Sequence, residues 1–167
     1  MDCRTTDLLI ADVLESIPAL RGFARALTSN HHNADDLVQD TLTKALANIH
    51  RFEPGTRLRA WLFTIMRNTF FNQAQRRRRE TTGAADCVSG ELTVEASQET
   101  IIYHNEFLAV VQRLPVQFRE MLILVVMLGE RYEDAAAICN CAVGTVKSRV
   151  NRAKQMISEM LVHEGAG

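Results

Sequence analysis

The sequence has few of the residues that interrupt helices, and it lacks long apolar runs. Three prolines and eight glycines among 167 residues favour long helices over a turn-rich β fold. No apolar run approaches the roughly eighteen residues that a membrane-spanning helix needs, and residues 1–7 (MDCRTTD) do not have a signal-peptide pattern. We therefore expect a cytoplasmic protein that does not bind membranes.

The sequence also lacks the groupings that build catalytic or metal sites. It contains no nucleophile elbow, no phosphate-binding loop and no cluster of histidines, so we expect no catalytic residue, no cofactor and no metal. The four cysteines do not form a disulfide framework. Cys139 and Cys141 could form a thiol switch or half of a metal site, but their C-x-C spacing, without a nearby histidine, favours a packing role.

Charge is segregated along the chain behind a net charge of −1. Residues 57–79 contain seven arginines and no acid, whereas residues 80–106 contain six acids and no lysine or arginine. We predict an all-α protein with two small helical domains, residues 1–80 and 101–167, joined by a flexible acidic linker at 81–100 that is rich in small and polar residues. The acidity of the linker should repel DNA and help to keep the domains apart.

Residues 132–154 predict a helix-turn-helix. The first helix carries small residues at 135–137, which let another helix cross closely, and Asn140 can adopt the left-handed conformation that a tight turn requires. The second helix turns three valines inward and has a basic outer face, and in this motif that helix enters the major groove of DNA. The candidate DNA-binding residues of this segment are Gly144, Thr145, Lys147, Ser148, Asn151, Arg152 and Lys154.

Apolar residues recur at three- and four-residue spacing through the N-terminal domain, which indicates amphipathic helices. Pro18 suits the first turn of a helix, so we expect a break near residues 16–17. Asn33 is expected to cap the next helix, whose inner face should comprise Val38, Leu42, Ala45, Leu46 and Ile49. The outer face then carries Asp35, Asp36, Gln39 and Asp40. Taken alone, these acids are most simply interpreted as a solvated face without local basic partners.

A turn at 54–56 precedes a helix that mixes aromatic residues, amides and arginines. Such side chains suit the stacking of unpaired bases and the binding of a nucleic-acid backbone. Trp61, Phe63 and Phe70 could instead be core residues, and the run of four arginines could be solvated surface or a nuclear-localisation signal. The candidate residues for binding unpaired DNA are Arg57, Arg59, Trp61, Arg67, Asn68, Asn72, Gln75, Arg76, Arg77, Arg78 and Arg79.

Four motifs resemble those of the extracytoplasmic-function (ECF) bacterial sigma factors in order and spacing. They are residues 34–42 (ADDLVQDTL), 58–68 (LRAWLFTIMRN), 114–120 (LPVQFRE) and 144–153 (GTVKSRVNRA). Residues 54–63 and 138–145 further resemble the EcfG-type sigma factors of the alphaproteobacterial general stress response.

The resemblance implies a sigma factor that binds RNA polymerase core, recognises promoter DNA and initiates transcription of stress-response genes. It assigns the acidic face at 35–40 to docking on the clamp helices of the core enzyme. It assigns the loop before Trp61 and the helix through Asn68 and Asn72 to melting and reading the −10 element, and the last helix to the −35 element. An anti-sigma factor is expected as a further partner.

Two other functions stay open. A partner-switching protein that mimics a sigma factor would sequester an anti-sigma factor without reading DNA. The arginine run at 76–79, the basic last helix and the expected absence of a receiver domain argue against it. An ordinary helix-turn-helix repressor would leave the N-terminal domain without a role and would usually carry a dimerisation helix.

Overall fold

The computed structural model describes residues 3–28, 30–53, 55–81 and 107–165, and every regular element within them is helical. The N-terminal domain comprises α1 (Cys3–Glu15), α2 (Ile17–Leu27), α3 (His31–Ala47), a 3₁₀ turn (Ile49–Arg51) and α4 (Leu58–Thr81). The C-terminal domain comprises α5 (107–112), α6 (Val116–Leu122), a π-helical turn (Ile123–Met127), α7 (Tyr132–Cys139) and α8 (Val143–Gly165).

The predicted all-α fold is therefore confirmed. Within the ranges just given, no helix is long and apolar enough to cross a membrane. Apart from Thr81, the segment predicted as a linker lies outside the described residues, so its boundaries stay predictions.

The break between α1 and α2 lies where Pro18 predicted it. α1 ends at Glu15 and α2 begins at Ile17, with Pro18 in the first turn, where its missing N–H leaves no helical hydrogen bond unmade. The hydroxyl of Ser16 donates to the carbonyl oxygen of Asp12 at 2.9 Å and so satisfies a carbonyl near the end of α1. This prediction is confirmed.

Two details of α3 correct the prediction. Asn30, not Asn33, is the N-cap: its side-chain oxygen accepts a 2.7 Å hydrogen bond from the backbone N–H of Asn33, which lies in the first turn. Both asparagines are good capping residues, and only the extended backbone at Asn30 distinguishes them. Leu46 is 47% exposed, so the inner face differs from the predicted one. The buried residues of α3 are Ala34, Leu37, Val38, Thr41 and Ala45.

α4 supplies the centre of the N-terminal core. Leu62, Phe63 and Met66 are at most 1% exposed. The ring of Phe63 packs edge-on against Phe23 of α2, with ring centroids 5.3 Å apart. Phe63 is therefore a core residue, as the simpler interpretation of the sequence held.

The two domains pack against each other, with α4 on α7 and α2 on α6. Their buried apolar residues form one continuous cluster. Gly22 of α2 lies so close to the C-terminal domain that a Cβ there would be 3.6 Å from a methyl carbon of Leu128. The expectation that the acidic linker would keep the domains apart is therefore wrong for this conformation, because apolar surfaces on α2 and α4 are buried against the other domain.

The helix-turn-helix follows the predicted pattern. Asn140 ends α7 with φ 50° and ψ 55°, and it is the only non-glycine residue with positive φ in the described part of the chain. Ala135 and Ala136 of α7 are buried, as are Val146 and Val150 of α8. These small and β-branched residues lie in the common core, so the apolar face of α8 is directed inward and its basic face outward.

We expect Asn140→Ala to lower the free energy of unfolding by about 1 kcal/mol, because alanine meets the steric cost of the left-handed conformation that asparagine partly avoids. Asn140→Gly should be at least as stable as the wild type, since glycine adopts this conformation freely. Urea unfolding followed by circular dichroism measures both. Equal losses in the two variants would show that contacts of the asparagine side chain, and not its backbone conformation, stabilise the turn.

Candidate nucleic-acid and partner interfaces

The outer face of α8 carries most of the predicted major-groove residues. The five candidates beyond its first turn are all exposed: Lys147, Ser148, Asn151, Arg152 and Lys154. Arg152 donates to Oε1 of Gln155 at 3.0 Å, and the ammonium of Lys147 lies 5.9 Å from the ring centroid of Tyr132. These contacts leave the donors at the helix surface, where they can reach purine edges and phosphates.

Gly144 and Thr145 lie in the first turn of α8. Gly144 is exposed, and a Cβ at this position would meet no atom within 4 Å. The start of a helix carries partial positive charge on its N–H groups, and the open space allows a phosphate to approach them. The geometry therefore permits the predicted contact at this turn.

A cleft of about 420 Å³ lies between α3 and α4. Its lining combines an aromatic ring, amides and cations: Lys44, Asn48, Arg51, Trp61, Ile65, Asn68, Thr69 and Asn72. Three of the residues predicted to bind unpaired DNA, namely Trp61, Asn68 and Asn72, are thus brought together. The half-buried ring of Trp61 packs on Phe52, with centroids 5.5 Å apart, which fixes its position at the cleft.

Lys44 and Arg51 line the same cleft, and the sequence did not single them out. The ammonium of Lys44 donates to the hydroxyl of Thr69 at 3.0 Å and so connects α3 to α4. Lys44 lies one turn after Asp40, and its basic character was the only available signal. Two cations beside an aromatic ring and amides give the cleft the chemistry of a site for a base and its phosphate.

Arg57, Arg59 and Arg67 do not line this cleft. Each pairs with an acid of the C-terminal domain, and we call these contacts the three interdomain ion pairs. They are Arg57–Asp134 at 2.5 Å, Arg59–Glu130 at 2.9 Å and Arg67–Glu120 at 2.8 Å. The partners in the first and last pairs are 77 and 53 residues apart in sequence, so no local pattern could reveal them.

The Arg67–Glu120 pair is the most buried of the three. Nε and Nη2 of Arg67 donate to the two carboxylate oxygens at 2.8 and 3.2 Å, and the guanidinium lies 4.7 Å from the ring centroid of Phe71. Burial lowers the pKa of Arg67, but the hydrogen bond and the charge of Glu120 outweigh this effect, so the pKa is raised overall. Glu120 is 1% exposed and needs such a partner, because a buried unpaired charge is strongly destabilising.

The structure also accounts for Glu130 and Arg131, to which the sequence gave no role. Glu130 pairs with Arg59, and Arg131 donates to both carboxylate oxygens of Asp134 at 2.9 and 3.2 Å. The hydrogen bond from Arg131 lowers the pKa of Asp134 against the effect of burial, and the charge of Arg57 lowers it further. Asp134 therefore stays ionised at neutral pH and is shared by two guanidinium groups.

The last turns of α4 extend beyond the cleft. Their predicted DNA-binding residues are all exposed: Gln75, Arg76, Arg77, Arg78 and Arg79. Cations in the last turn of a helix complement the negative end of its dipole. These residues form a basic surface next to the cleft and do not line it.

Asp35, Asp36, Gln39 and Asp40 form one exposed stripe on α3, as predicted. The expectation that these acids lack local basic partners is wrong for Asp36, because Nδ1 of His32 lies 3.3 Å from its carboxylate. Asp40 accepts a 2.7 Å hydrogen bond from the amide of Gln73. Both contacts are at the surface, and the stripe stays accessible to a partner.

Cys139, the last residue of α7, is buried near Glu120 of α6 and Arg67 of α4, whereas Cys141 is half-buried. Burial raises the pKa of the Cys139 thiol to about 12, and the negative charge of Glu120 adds to this effect. Among the described residues, no group of three or more histidines, cysteines or acids is arranged to hold a metal ion. The position of Cys139 fits the packing role that its spacing favoured.

We expect Cys139 to react with iodoacetamide at pH 8 far more slowly than an ordinary thiol, because a pKa of about 12 instead of 9.0 leaves about a thousandfold less thiolate. Peptide mass spectrometry after timed alkylation measures this rate, and the rate for Cys141 serves as the comparison. The two rates should converge in urea. Rapid alkylation of Cys139 in the folded protein would contradict its burial.

Comparison with known proteins identifies both domains. Residues 7–67 match the family described as the sigma2 domain of PhyR, and residues 104–157 match region 4 of sigma-70. The sequence is 50% identical to the ECF RNA polymerase sigma factor EcfG of Rhodopseudomonas palustris (strain TIE-1) over 161 residues, which cover 96% of this chain and 89% of the relative.

Two solved structures from Bartonella quintana are also similar. The sigma factor RpoE, in a co-crystal with the anti-sigma factor NepR, has a TM-score of 0.83 and 44% identity over 90% of this chain and 94% of its own. The anti-anti-sigma factor PhyR, complexed with NepR, has a TM-score of 0.58 and 18% identity over 91% of this chain and 50% of its own, which shows a shared fold alone. The identity to EcfG over nearly the whole length, together with the matches of both domains, shows that the chain belongs to the ECF RNA polymerase sigma factors, which are transcription initiation factors and not enzymes.

Proposed function

We propose that this sigma factor uses three separate surfaces to initiate transcription at stress-response promoters. The acidic stripe on α3 docks on RNA polymerase core. The cleft between α3 and α4 holds an unpaired base of the −10 element. The outer face of α8 reads the −35 element in the major groove.

The observation that carries the proposal is the composition of the cleft. Trp61 offers a ring for stacking, and Asn68 and Asn72 offer amides for the edge of a base. An amide pairs with the Watson–Crick edge only after the base has left the duplex stack, so this chemistry suits a melted strand. Lys44 and Arg51 supply cations for the backbone of that strand.

α8 supplies different chemistry on the other domain. Its exposed lysine, serine, asparagine and arginine residues match the donors and acceptors of base pairs in the major groove and the adjacent phosphates. α7 packs against α8, whose basic face stays exposed and is the face that we propose to meet the duplex. Duplex reading and base capture are therefore carried by different helices.

The relatives support the stress role and an anti-sigma partner. The similar sigma factor RpoE was solved in complex with the anti-sigma factor NepR. Over 90% of its length, this chain is 44% identical to RpoE and has the same fold. We infer that an anti-sigma factor of this kind also binds this chain. The half-identical relative is named EcfG, the type that serves the general stress response, and this supports the same role here.

A second candidate function is a sigma mimic that sequesters an anti-sigma factor. It is favoured by the match of residues 7–67 to the sigma2 domain of PhyR. Against it, the chain is only 18% identical to the similar PhyR chain, whereas it is 50% identical to the sigma factor EcfG. The exposed basic face of α8 also suits DNA and would have no use in a mimic. We therefore place the mimic second.

Asp36→Lys combined with Asp40→Lys should abolish binding to RNA polymerase core and promoter-dependent transcription, whereas the wild type should support both. Reversed charges at an interface cost several kcal/mol through like-charge repulsion. Pull-down of purified core enzyme and run-off transcription measure the effect. Both residues are exposed, so the melting temperature should stay nearly unchanged.

The matched control is Asp12→Lys combined with Glu15→Lys, which makes the same change of charge on the exposed face of α1. This variant should bind core enzyme like the wild type. Undiminished binding by a folded Asp36/Asp40 variant would place the docking surface elsewhere. A wild-type protein that binds an anti-sigma factor but initiates from no promoter would support the mimic.

Variants of the two DNA surfaces should each impair a different step of promoter recognition. Asn68→Ala with Asn72→Ala should impair melting of the −10 region, measured by permanganate footprinting, and leave binding to duplex −35 DNA intact. Lys147→Ala or Arg152→Ala should weaken −35 binding by about 1–3 kcal/mol if the residue contacts a base. Equal losses on promoter and random duplex would show that Lys147 and Arg152 contact phosphates only. Normal melting of the −10 region by the asparagine variant would show that the cleft does not bind the melted strand.

A further inference from the structure

The three interdomain ion pairs involve arginines that the sequence predicted to bind DNA. Seven arginines lie between residues 57 and 79, and three of them, Arg57, Arg59 and Arg67, are bound to acids of the C-terminal domain. A carboxylate paired with a guanidinium compensates its charge and occupies part of its five donors, so the arginine binds a DNA phosphate less well. We call the arrangement in which the two domains pack together the closed conformation. In it, these three arginines are less available to nucleic acid.

The acids of these pairs are more buried than the arginines. The side chains of Glu120, Glu130 and Asp134 are 2%, 3% and 11% exposed, whereas those of Arg57 and Arg59 are 48% and 44% exposed. Glu120 and Glu130 thus depend on their arginines for charge compensation as long as the domains are packed, whereas Asp134 is also paired with Arg131 of its own domain. Once the domains separate, water can solvate both partners, so the pairs favour the closed conformation without making it permanent.

A second contact links the domains at the end of α2. The amide nitrogen of Gln112 donates to the carbonyl oxygens of Arg25 at 2.6 Å and Thr28 at 2.7 Å. Arg119 donates to the carbonyl oxygen of Ala26 at 3.1 Å and also to the side-chain oxygen of Gln112. These donors satisfy carbonyls that the end of a helix leaves unpaired. The closed conformation is therefore made by specific polar contacts as well as by apolar packing.

The closed conformation cannot span a promoter. The −10 and −35 elements are named for positions 25 base pairs apart, which is roughly 85 Å of DNA at about 3.4 Å per base pair. A compact chain of this length has a radius of gyration of about 15 Å and is roughly 40 Å across. The covalent length of residues 82–106 permits a separation of up to about 85 Å. Binding to both elements therefore requires the domains to part.

We propose that the three interdomain ion pairs are an electrostatic lock that competes with DNA: Glu120, Glu130 and Asp134 occupy Arg57, Arg59 and Arg67 in the free protein, and DNA takes over these arginines when the domains part. The proposal rests on the proposed −10 function and adds its regulation. Opening exchanges three carboxylate partners for phosphates. It also exposes three acids on the C-terminal domain, which repel DNA there.

Neutralising the acids tests the lock. The variant Glu120→Gln, Glu130→Gln, Asp134→Asn should have a larger radius of gyration than the wild type in small-angle X-ray scattering of the free protein. It should bind short fluorescein-labelled single-stranded DNA about tenfold more tightly, as expected if about nine-tenths of the wild type is closed. Three freed arginines should also steepen the slope of log affinity against log salt by about 2.

The matched control is Asp12→Asn, Glu15→Gln, Glu133→Gln, which removes three exposed acids outside the interdomain ion pairs. Its net charge changes by the same amount, so any gain that it shows measures non-specific attraction. A second variant, Arg57→Gln, Arg59→Gln, Arg67→Gln, opens the same lock from the other domain. It should expand like the acid variant but bind the DNA probe more weakly than the wild type.

Opposite DNA affinities in two equally expanded variants would establish the competition. An acid variant that stays as compact as the wild type, or that expands without gaining more affinity than the control, overturns the proposal. If circular dichroism shows that the acid variant is unfolded, the arginine variant decides: compactness equal to the wild type then overturns it. Promoter transcription by the wild type with core enzyme tests the proposed function separately, because it requires DNA reading and no particular free conformation.

Discussion

A buried negative charge on α6 constrains how the two domains meet. Glu120 is 1% exposed, and a carboxylate in such a place is strongly destabilising without a cation beside it. Arg67 supplies that cation from α4, with two hydrogen bonds that fix both distance and orientation. Because the partners belong to different domains, this requirement constrains which surfaces of α4 and α6 come together. The apolar packing of α2 on α6 then completes the contact.

Local patterns predicted the helices and their exposed faces well, because these depend on neighbours within a turn or two. The break at Ser16 follows from a proline that only a first helical turn tolerates. The left-handed residue at Asn140 follows from the need for a tight turn. The outer face of α8 follows from the spacing of its valines. Where two residues were equally suitable, as Asn30 and Asn33 were for the cap of α3, the local pattern could not decide.

The contacts between domains could not be predicted, because nothing near an arginine in sequence reports an acid 53 or 77 residues away. An arginine without a nearby acid therefore looked like a cation available to DNA. The same limit applies to the cleft: Lys44 and Arg51 line it only because α3 packs on α4, and periodicity says nothing of that orientation. The helical pattern placed Trp61 on one side of α4 and Asn68 and Asn72 toward another, whereas the structure brings all three to one cleft.

The structure separates residues that read bases from residues that hold phosphates. Asn68, Asn72 and the outer face of α8 stay exposed in the closed conformation, whereas three arginines are engaged within the protein. Phosphate contacts supply most of the affinity for random DNA, and base contacts supply discrimination. A chain that withholds part of its phosphate-binding charge therefore lowers its affinity for random sequence more than its capacity to discriminate. The arginines at 76–79 limit this effect, because they are exposed in the closed conformation and keep part of that charge at the surface.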